Sequence, residues 1–316
     1  MIVIVMIVRI IFIFLFIFLI KSIFSAENKF EFENNSVELI LAEKKNNALK
    51  AALHFKLEKD WKVYWIYPGD AGSPPAISAY KKDIIENLNI KWPIPEEDYD
   101  KEANLVSRVY KNEVVIPVKM LIKENFKKNK IPIKLEFQIC KDICIPLTAK
   151  LMLMYPDKDY IDKNKIALLR LHDKKIPKSF LKQSNLKLNS ITSNDKRISI
   201  EISKTNNQVS FDNKNYAYVI GENIPNYRNL NTKIDNNKLI INLFNENNVN
   251  LNNKDMTIFL SIDDENFYFK AESGIVVNKR NNYSLNIFII IFIAFIGGFI
   301  LNFMPCVLPI LGLKIT

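Results

Sequence analysis

The chain has 316 residues, of which 48% are hydrophobic, and 44 basic against 34 acidic residues give it a net charge of +10. This length accommodates about two domains, each with its own core. The lysines alternate with asparagines and acidic residues and form no basic stripe with stacking aromatics, which argues against nucleic acid as a partner.

The first 26 residues have the pattern of an export signal. Arg9 precedes an apolar run at residues 10–20, and Lys21 and small residues up to Ala26 follow it. The run is shorter than the roughly 20 residues that a membrane-spanning helix needs. This favours a signal peptide at 1–26, cleaved near Ser25 or Ala26, over an uncleaved anchor. Export would place the rest of the chain in an oxidising compartment, where cysteine pairs form disulfides.

Most of the remaining chain is predicted to form strands, because apolar and polar residues alternate between clusters of Pro, Asn, Asp and Gly. The fold class is mainly β, and an antiparallel β-sandwich is the natural architecture. We expect a first domain at 27–157 and a helical connector at 158–177, with its helix over 159–175. A second β-rich domain, without cysteine, should occupy 178–283.

A second long apolar segment covers residues 286–313, which is enough for one transmembrane helix. The export signal sets the expected topology, so residues from about 27 to 285 should lie on the exported side of the membrane.

Two of the three cysteines lie in the sequence "EFQICKDICIP". The odd-numbered positions from Ile131 to Ile139 are apolar, so the even-numbered Cys140 should point away from the core. From Leu147 to Tyr155 the odd-numbered positions are again apolar. We therefore predict a hairpin that carries Cys140 and Cys144 at its tip, both near solvent.

Three roles are open for this cysteine pair. A structural disulfide would close a ring of about five residues, which removes only roughly 2 kcal/mol of unfolded-chain entropy. Thiol exchange fits better, because exposed close pairs are the labile ones. A Cu(I) site is the third possibility, since Met152 and Met154 share one strand phase and soft sulfur ligands suit that ion.

The third cysteine, Cys306, falls inside the predicted membrane segment between Pro305 and Pro309. Both prolines interrupt helical hydrogen bonding close to the thiol. A broken helix at membrane depth is tolerated where it packs in protein or lines a wet cavity. This setting indicates a functional thiol more than a small apolar filler.

Together these features resemble the DsbD/ScsB family of bacterial inner-membrane thiol:disulfide interchange proteins. "QICKDICIP" resembles the cysteine motif of the N-terminal domain in the ScsB-like branch, and three further stretches match in order and spacing. The C-terminal apolar segment is similar to the first helix of the family's electron-conducting membrane domain. The matching stretches are "DWKVYWIYPGDAGSPPAI" (60–77), "IKWPIPE" (90–96), "VYKNEVVIPVKM" (109–120) and "GGFILNFMPCVLPILGLK" (297–314).

The resemblance implies an immunoglobulin-like β-sandwich for the first domain, with Cys140 and Cys144 as its redox pair. It also implies a cap loop over the pair, which by position falls at Arg108, Val109 and Tyr110. The activity would be that of a protein-disulfide reductase without a cofactor, in a thiol relay of the kind that serves cytochrome c biogenesis. Its partners would be periplasmic thioredoxin-like proteins.

By the same resemblance, Cys306 is one half of a membrane cysteine pair, and residues 27 to 285 lie in the periplasm. The second membrane cysteine and a C-terminal thioredoxin-like domain belong further along the chain in this family. We therefore expect the 316 residues to be the N-terminal part of a larger protein or a truncated gene product.

Two hypotheses of other classes remain at this point. One is a membrane-anchored periplasmic copper-binding or copper-tolerance protein, with Cys140, Cys144, Met152 and Met154 as ligands. The other is a tethered β-sandwich scaffold with an incidental disulfide.

Overall fold

The computed structural model describes residues 28–80, 84–180, 185–194, 196–205, 211, 215–246, 254–271, 276–278 and 295–296. The predicted signal peptide and nearly all of the predicted membrane segment at 286–313 lie outside these residues. Among the described residues, no helix combines the length and apolar character needed to cross a membrane. The described residues up to Val277 form one compact unit, and those from Asn278 onward belong to a second.

The described part of the chain is mainly β, as the alternating pattern predicts. Twelve strands precede the connector helix: β1 (Lys29–Phe32), β2 (Asn35–Lys45), β3 (Ala48–Lys56), β4 (Lys62–Gly69), β5 (Ala76–Ala79), β6 (Ile85–Ile90), β7 (Glu96–Asp100), β8 (Leu105–Lys111), β9 (Glu113–Ile122), β10 (Lys130–Cys140), β11 (Cys144–Met154) and β12 (Tyr160–Ile161).

These strands form two sheets that face each other. The first sheet has the order β1-β2-β3-β9-β6, with β12 paired to β2, and the second has the order β11-β10-β4-β8-β7, with β5 paired to β10. The alternation in β10 is confirmed, because Ile131, Ile133, Leu135, Phe137 and Ile139 are all buried in the core between the sheets. Alternating faces of this kind are what a two-layer sandwich requires.

The connector contains the expected helix, which is shorter than predicted. Helix α1 spans Lys163–His172, and the side chain of Asp162 caps it by accepting hydrogen bonds from the backbone N–H groups of Asn164 and Lys165. A 3-10 turn at Asp173–Lys175 follows. The start of the predicted helix is instead β12, because Tyr160 and Ile161 pair with β2.

In the described part of the chain after the connector, nine strands form two further sheets. They are β13 (Lys178–Ser179), β14 (Leu186–Asn194), β15 (Arg197–Lys204), β16 (Tyr216–Ile220), β17 (Arg228–Asp235), β18 (Lys238–Phe244), β19 (Met256–Ile262), β20 (Glu265–Ala271) and β21 (Val276–Asn278). The sheet orders are β13-β20-β19-β16 and β17-β18-β15-β14-β21. A second apolar core lies between these sheets.

Polar and aromatic contacts join the two sandwiches within the first compact unit. Arg108 of β8 donates through Nη1 to Oδ1 of Asn226 at 2.9 Å. The hydroxyl of Tyr218 donates to the carbonyl of Pro95 at 3.2 Å, and Tyr218 belongs to the core of the first sandwich. The two sandwiches therefore pack against each other directly.

Candidate functional site: the Cys140–Cys144 disulfide

The two cysteines form a disulfide at the tip of the β10–β11 hairpin. Cys140 is the last residue of β10, Cys144 is the first of β11, and they are direct partners in the antiparallel register. Their Cα atoms are 4.2 Å apart. Only Lys141, Asp142 and Ile143 lie between them, so the predicted hairpin with the cysteines at its tip is confirmed.

The two sulfur-bearing residues differ in exposure, which corrects the expectation that both lie near solvent. Cys144 is exposed, whereas Cys140 is only 1% exposed and packs with Tyr64 and Val109. Cys140 does face away from the main core, as its strand phase indicates. It is nevertheless covered, because side chains of the neighbouring strands β4 and β8 lie over this end of the outer face.

Tyr64 is the side chain that contacts both cysteines. Its ring packs on Cys140, and its hydroxyl lies 3.5 Å from Sγ of Cys144. Burial, with a smaller contribution from the negative charge of Asp98, raises the pKa of Tyr64 above its ordinary value. The phenol therefore keeps its proton at neutral pH and can donate a hydrogen bond to a sulfur anion.

The β4–β5 loop holds the Tyr64 ring in place. Gly72 in this loop has a φ of 90°, and a Cβ at that position would lie 2.2 Å from Cε1 of the Tyr64 ring. Only glycine permits both this backbone conformation and so close an approach. The "PGDAGSPP" loop is thus the element that packs on the aromatic cover of the disulfide.

A network of three charged side chains includes the strand partner of the covered cysteine. Lys62 is opposite Cys140 in the pairing of β10 with β4, and its Nζ is 2.5 Å from Oδ2 of Asp98. The other oxygen of Asp98 accepts from Lys111 at 2.6 Å. Burial alone would raise the pKa of Asp98, but Lys111 and Lys62 outweigh it and hold that pKa below its ordinary value.

The residues expected in a cap loop, Arg108, Val109 and Tyr110, lie in strand β8, so the loop itself is wrong. Val109 nevertheless packs on Cys140, which is the covering role expected of the cap. Arg108 instead contacts Asn226 and the ring of Tyr218, and Tyr110 donates to the carbonyl of Pro93. Alternate residues of a strand face opposite ways, so only one of the three can reach the disulfide.

The hairpin register also separates the proposed copper ligands. Met152 pairs with Pro132 and Met154 with Lys130, at the end of the hairpin away from the cysteines. Met152 lies eight positions after Cys144 in β11, which is roughly 26 Å of strand. The four side chains cannot share one ion. Within the described part of the chain, no cluster of three or more His, Cys, Asp or Glu residues could hold a metal.

Three site residues were not predicted from the sequence: Lys62, Tyr64 and Asp98. The phase of β4 carries a signal for the first two, since they alternate with the buried Val63 and Trp65. Asp98 has no such signal, because its place depends on the pairing of β7 with β8 and of β8 with β4. Cys306, the third predicted redox residue, lies outside the described residues.

This arrangement suits attack at one sulfur. Thiol–disulfide exchange proceeds by in-line approach of a thiolate to an accessible sulfur atom. Cys144 offers that access, and the covered Cys140, which is the strand partner of Lys62, can act as the leaving sulfur.

Comparisons with known proteins identify a family match and a similar fold. Residues 33–156 match the family model described as "Thiol:disulfide interchange protein DsbD, N-terminal". The N-terminal periplasmic domain of ScsB from Proteus mirabilis superposes with a TM-score of 0.65 at 15% identity, over 79% of this chain and 98% of that one. This match confirms the expected immunoglobulin-like fold.

A second solved structure is the N-terminal domain of DsbD from Neisseria meningitidis in its reduced form. It aligns at 13% identity and a TM-score of 0.25, over 39% of this chain and 88% of that one. No curated protein matches the chain at a significant level.

Replacing Tyr64 with alanine should accelerate reduction of the disulfide by dithiothreitol. Loss of the ring uncovers Cys140 and removes the hydroxyl beside Cys144, so we expect a rate about 10-fold higher, equivalent to about 1.4 kcal/mol of barrier. Tyr64→Phe keeps the ring and should change the rate by no more than about twofold. Alkylation of the released thiols during a time course measures these rates. Tyr80→Ala, which removes a tyrosine that is 43% exposed, serves as the control and should reduce at the native rate. A native rate in Tyr64→Ala would contradict the shielding role.

Asp98→Asn should lower the free energy of unfolding at pH 7 by about 1 kcal/mol, the scale of a partly exposed ion-pair network. The folded-state pKa is lowered, so the stabilisation is present above the unfolded-state value near 3.9 and is lost as pH falls through the folded-state value. Urea unfolding between about pH 3 and pH 7 should show the difference from the native chain shrinking below about pH 4. The exposed Asp157→Asn serves as control, and a difference that is independent of pH would contradict the assignment.

Proposed function

We propose that this chain exchanges disulfides with protein partners through Cys140 and Cys144. The chain belongs to the DsbD/ScsB-like family through its DsbD N-terminal domain at residues 33–156. Thiol:disulfide interchange is the general activity of this family. The observation that carries the proposal for this chain is the asymmetric pair, in which Cys144 is exposed and Cys140 is covered.

In the reducing direction, the Cys144 thiolate attacks one sulfur of a partner's disulfide. A mixed disulfide forms, and the partner's other sulfur leaves as a thiolate and takes up a proton. The Cys140 thiolate then attacks Sγ of Cys144, which closes the Cys140–Cys144 disulfide and releases the partner's second thiolate. Two electrons and two protons pass to the partner, so a dithiol donor must reduce the pair again before the next cycle.

The neighbours of the pair support these roles. Lys62, opposite Cys140, favours a thiolate there, because a nearby cation stabilises the anionic form of a cysteine. Asp98 moderates that effect by pairing with Lys62. The neutral phenol of Tyr64 can donate to the Cys144 sulfur when it becomes anionic.

The hairpin tip favours a protein as the partner. Ile143, next to Cys144, is 72% exposed, which is unusual for a large apolar side chain. A partner that docks on this tip would cover Ile143 and bring its own sulfur to Cys144. Domains of this family interact in general with thioredoxin-like proteins, and we propose a periplasmic protein of that class.

The source of electrons and the location are further parts of the proposal. After cleavage near Ala26, residues 27 to 285 would lie in the periplasm. The apolar segment at 286–313 would tether them to the bacterial inner membrane. Cys306, in that segment, would belong to the membrane pair that reduces Cys140 and Cys144. A role in cytochrome c biogenesis would follow if the partner is a reductant of that pathway.

Single-cysteine variants test which sulfur reacts. The probe is a thioredoxin whose resolving cysteine is replaced by alanine and whose remaining cysteine carries thionitrobenzoate as a leaving group. Cys140→Ala leaves the exposed Cys144, which should form the mixed disulfide at least about 10-fold faster than the covered Cys140 in Cys144→Ala. Absorbance of released thionitrobenzoate gives the rates, and non-reducing electrophoresis identifies the product. Equal rates, or faster reaction of Cys144→Ala, would overturn the assignment, and absence of product from both variants would overturn the exchange function.

A further inference from the structure

A large cleft lies where the connector and the two sandwiches meet. Its volume is about 780 Å³, within the range of about 300–1,000 Å³ that is typical of small-molecule sites. The ends of β4 and β6, the 3-10 turn after α1, and strands β13, β19 and β20 line it. Neither cysteine of the disulfide is among the lining residues, so this is a separate feature.

One wall of the cleft is a run of aromatic rings. The ring of Phe259 is 4.9 Å from that of Trp65 and 6.2 Å from that of Tyr268, and Tyr67 packs edge-on against Trp65 at 5.4 Å. Tyr67 and Tyr268 are 42% and 40% exposed. Neighbouring aromatic rings that remain this exposed mark a surface that another flat apolar group can cover.

The charged residues around the cleft are mainly positive. Lys91, Lys178 and Lys270 line it and are exposed, against the single carboxylate of Asp173. Three ammonium groups against one carboxylate favour an anionic ligand. A ligand that matches both the aromatic wall and these lysines therefore combines a flat aromatic ring with a negative charge.

We propose that this cleft binds a small planar aromatic anion. Its ring system stacks on the exposed faces of Tyr268 and Tyr67, and its carboxylate, sulfonate or phosphate group is held by the three lysines. This site is independent of the disulfide chemistry. Replacing Cys140 or Cys144 with alanine therefore leaves ligand binding unchanged, whether or not the exchange function holds.

Naphthalene-2-sulfonate is a suitable probe. It is titrated into the full chain in detergent, with micelles alone as blank, and tryptophan emission is recorded, because two of the three tryptophans, Trp65 and Trp92, line the cleft. Saturable quenching with a Kd below about 1 mM is expected. The uncharged 2-naphthol and the aliphatic hexanesulfonate should each bind at least about 10-fold more weakly, since each lacks one of the two recognised properties.

Variants connect the binding to the cleft. Tyr268→Ala should weaken it by about 2- to 10-fold, whereas Tyr80→Ala removes an equally exposed tyrosine elsewhere and should not. Replacing Lys91, Lys178 and Lys270 together with glutamine should weaken binding about 10-fold and remove most of its dependence on salt.

The charge control replaces three exposed lysines outside the cleft, Lys59, Lys101 and Lys158, with glutamine. This variant should retain native affinity. Three outcomes would each overturn the proposal: no saturable binding below about 1 mM, equal affinity for 2-naphthol, or equal losses in the cleft and control variants. Circular dichroism of every variant confirms that a loss of binding is not a loss of fold.

Discussion

The contact between Tyr64 and the disulfide is the interaction on which the proposed exchange chemistry depends. It arises because β4 lies between β10 and β8 in one sheet, which places Tyr64 and Val109 over Cys140 and leaves Cys144 open. This cover leaves Cys144 exposed and buries Cys140 opposite Lys62 in the strand register. In the proposed exchange, that difference decides which sulfur meets the partner.

Strand β4 contributes to two surfaces of the first sandwich, the disulfide site and the aromatic cleft. Tyr64 and Trp65 are consecutive, so their side chains face opposite ways. The first covers the disulfide and the second forms part of the wall of the aromatic cleft. The pairing of β4 with β8 becomes irregular between Tyr64 and Gly69, just before the loop whose Gly72 packs on the Tyr64 ring. One short segment of sequence thus shapes both sites.

The local parts of this structure are predictable from the sequence, and the parts that depend on distant pairing are not. The alternation from Ile131 to Ile139 correctly indicates the inner face of β10 and the hairpin at its end. The same alternation indicates only that Cys140 faces outward, and cannot reveal that Tyr64, 76 residues earlier in the chain, covers it. For the same reason Arg108, Val109 and Tyr110 were expected in a loop, and Met152 and Met154 were grouped with cysteines at the opposite end of the hairpin.

The reduction potential of the Cys140–Cys144 pair distinguishes an exchange-active disulfide, as we propose, from a structural staple. A ring of five residues contributes only about 2 kcal/mol to stability, and one of its sulfurs is exposed. Equilibration of the purified chain with defined glutathione or dithiothreitol buffers, followed by alkylation, gives this potential. We expect a value above about −300 mV, in the range of exchange-active pairs. A value well below about −300 mV, typical of structural disulfides, would contradict it.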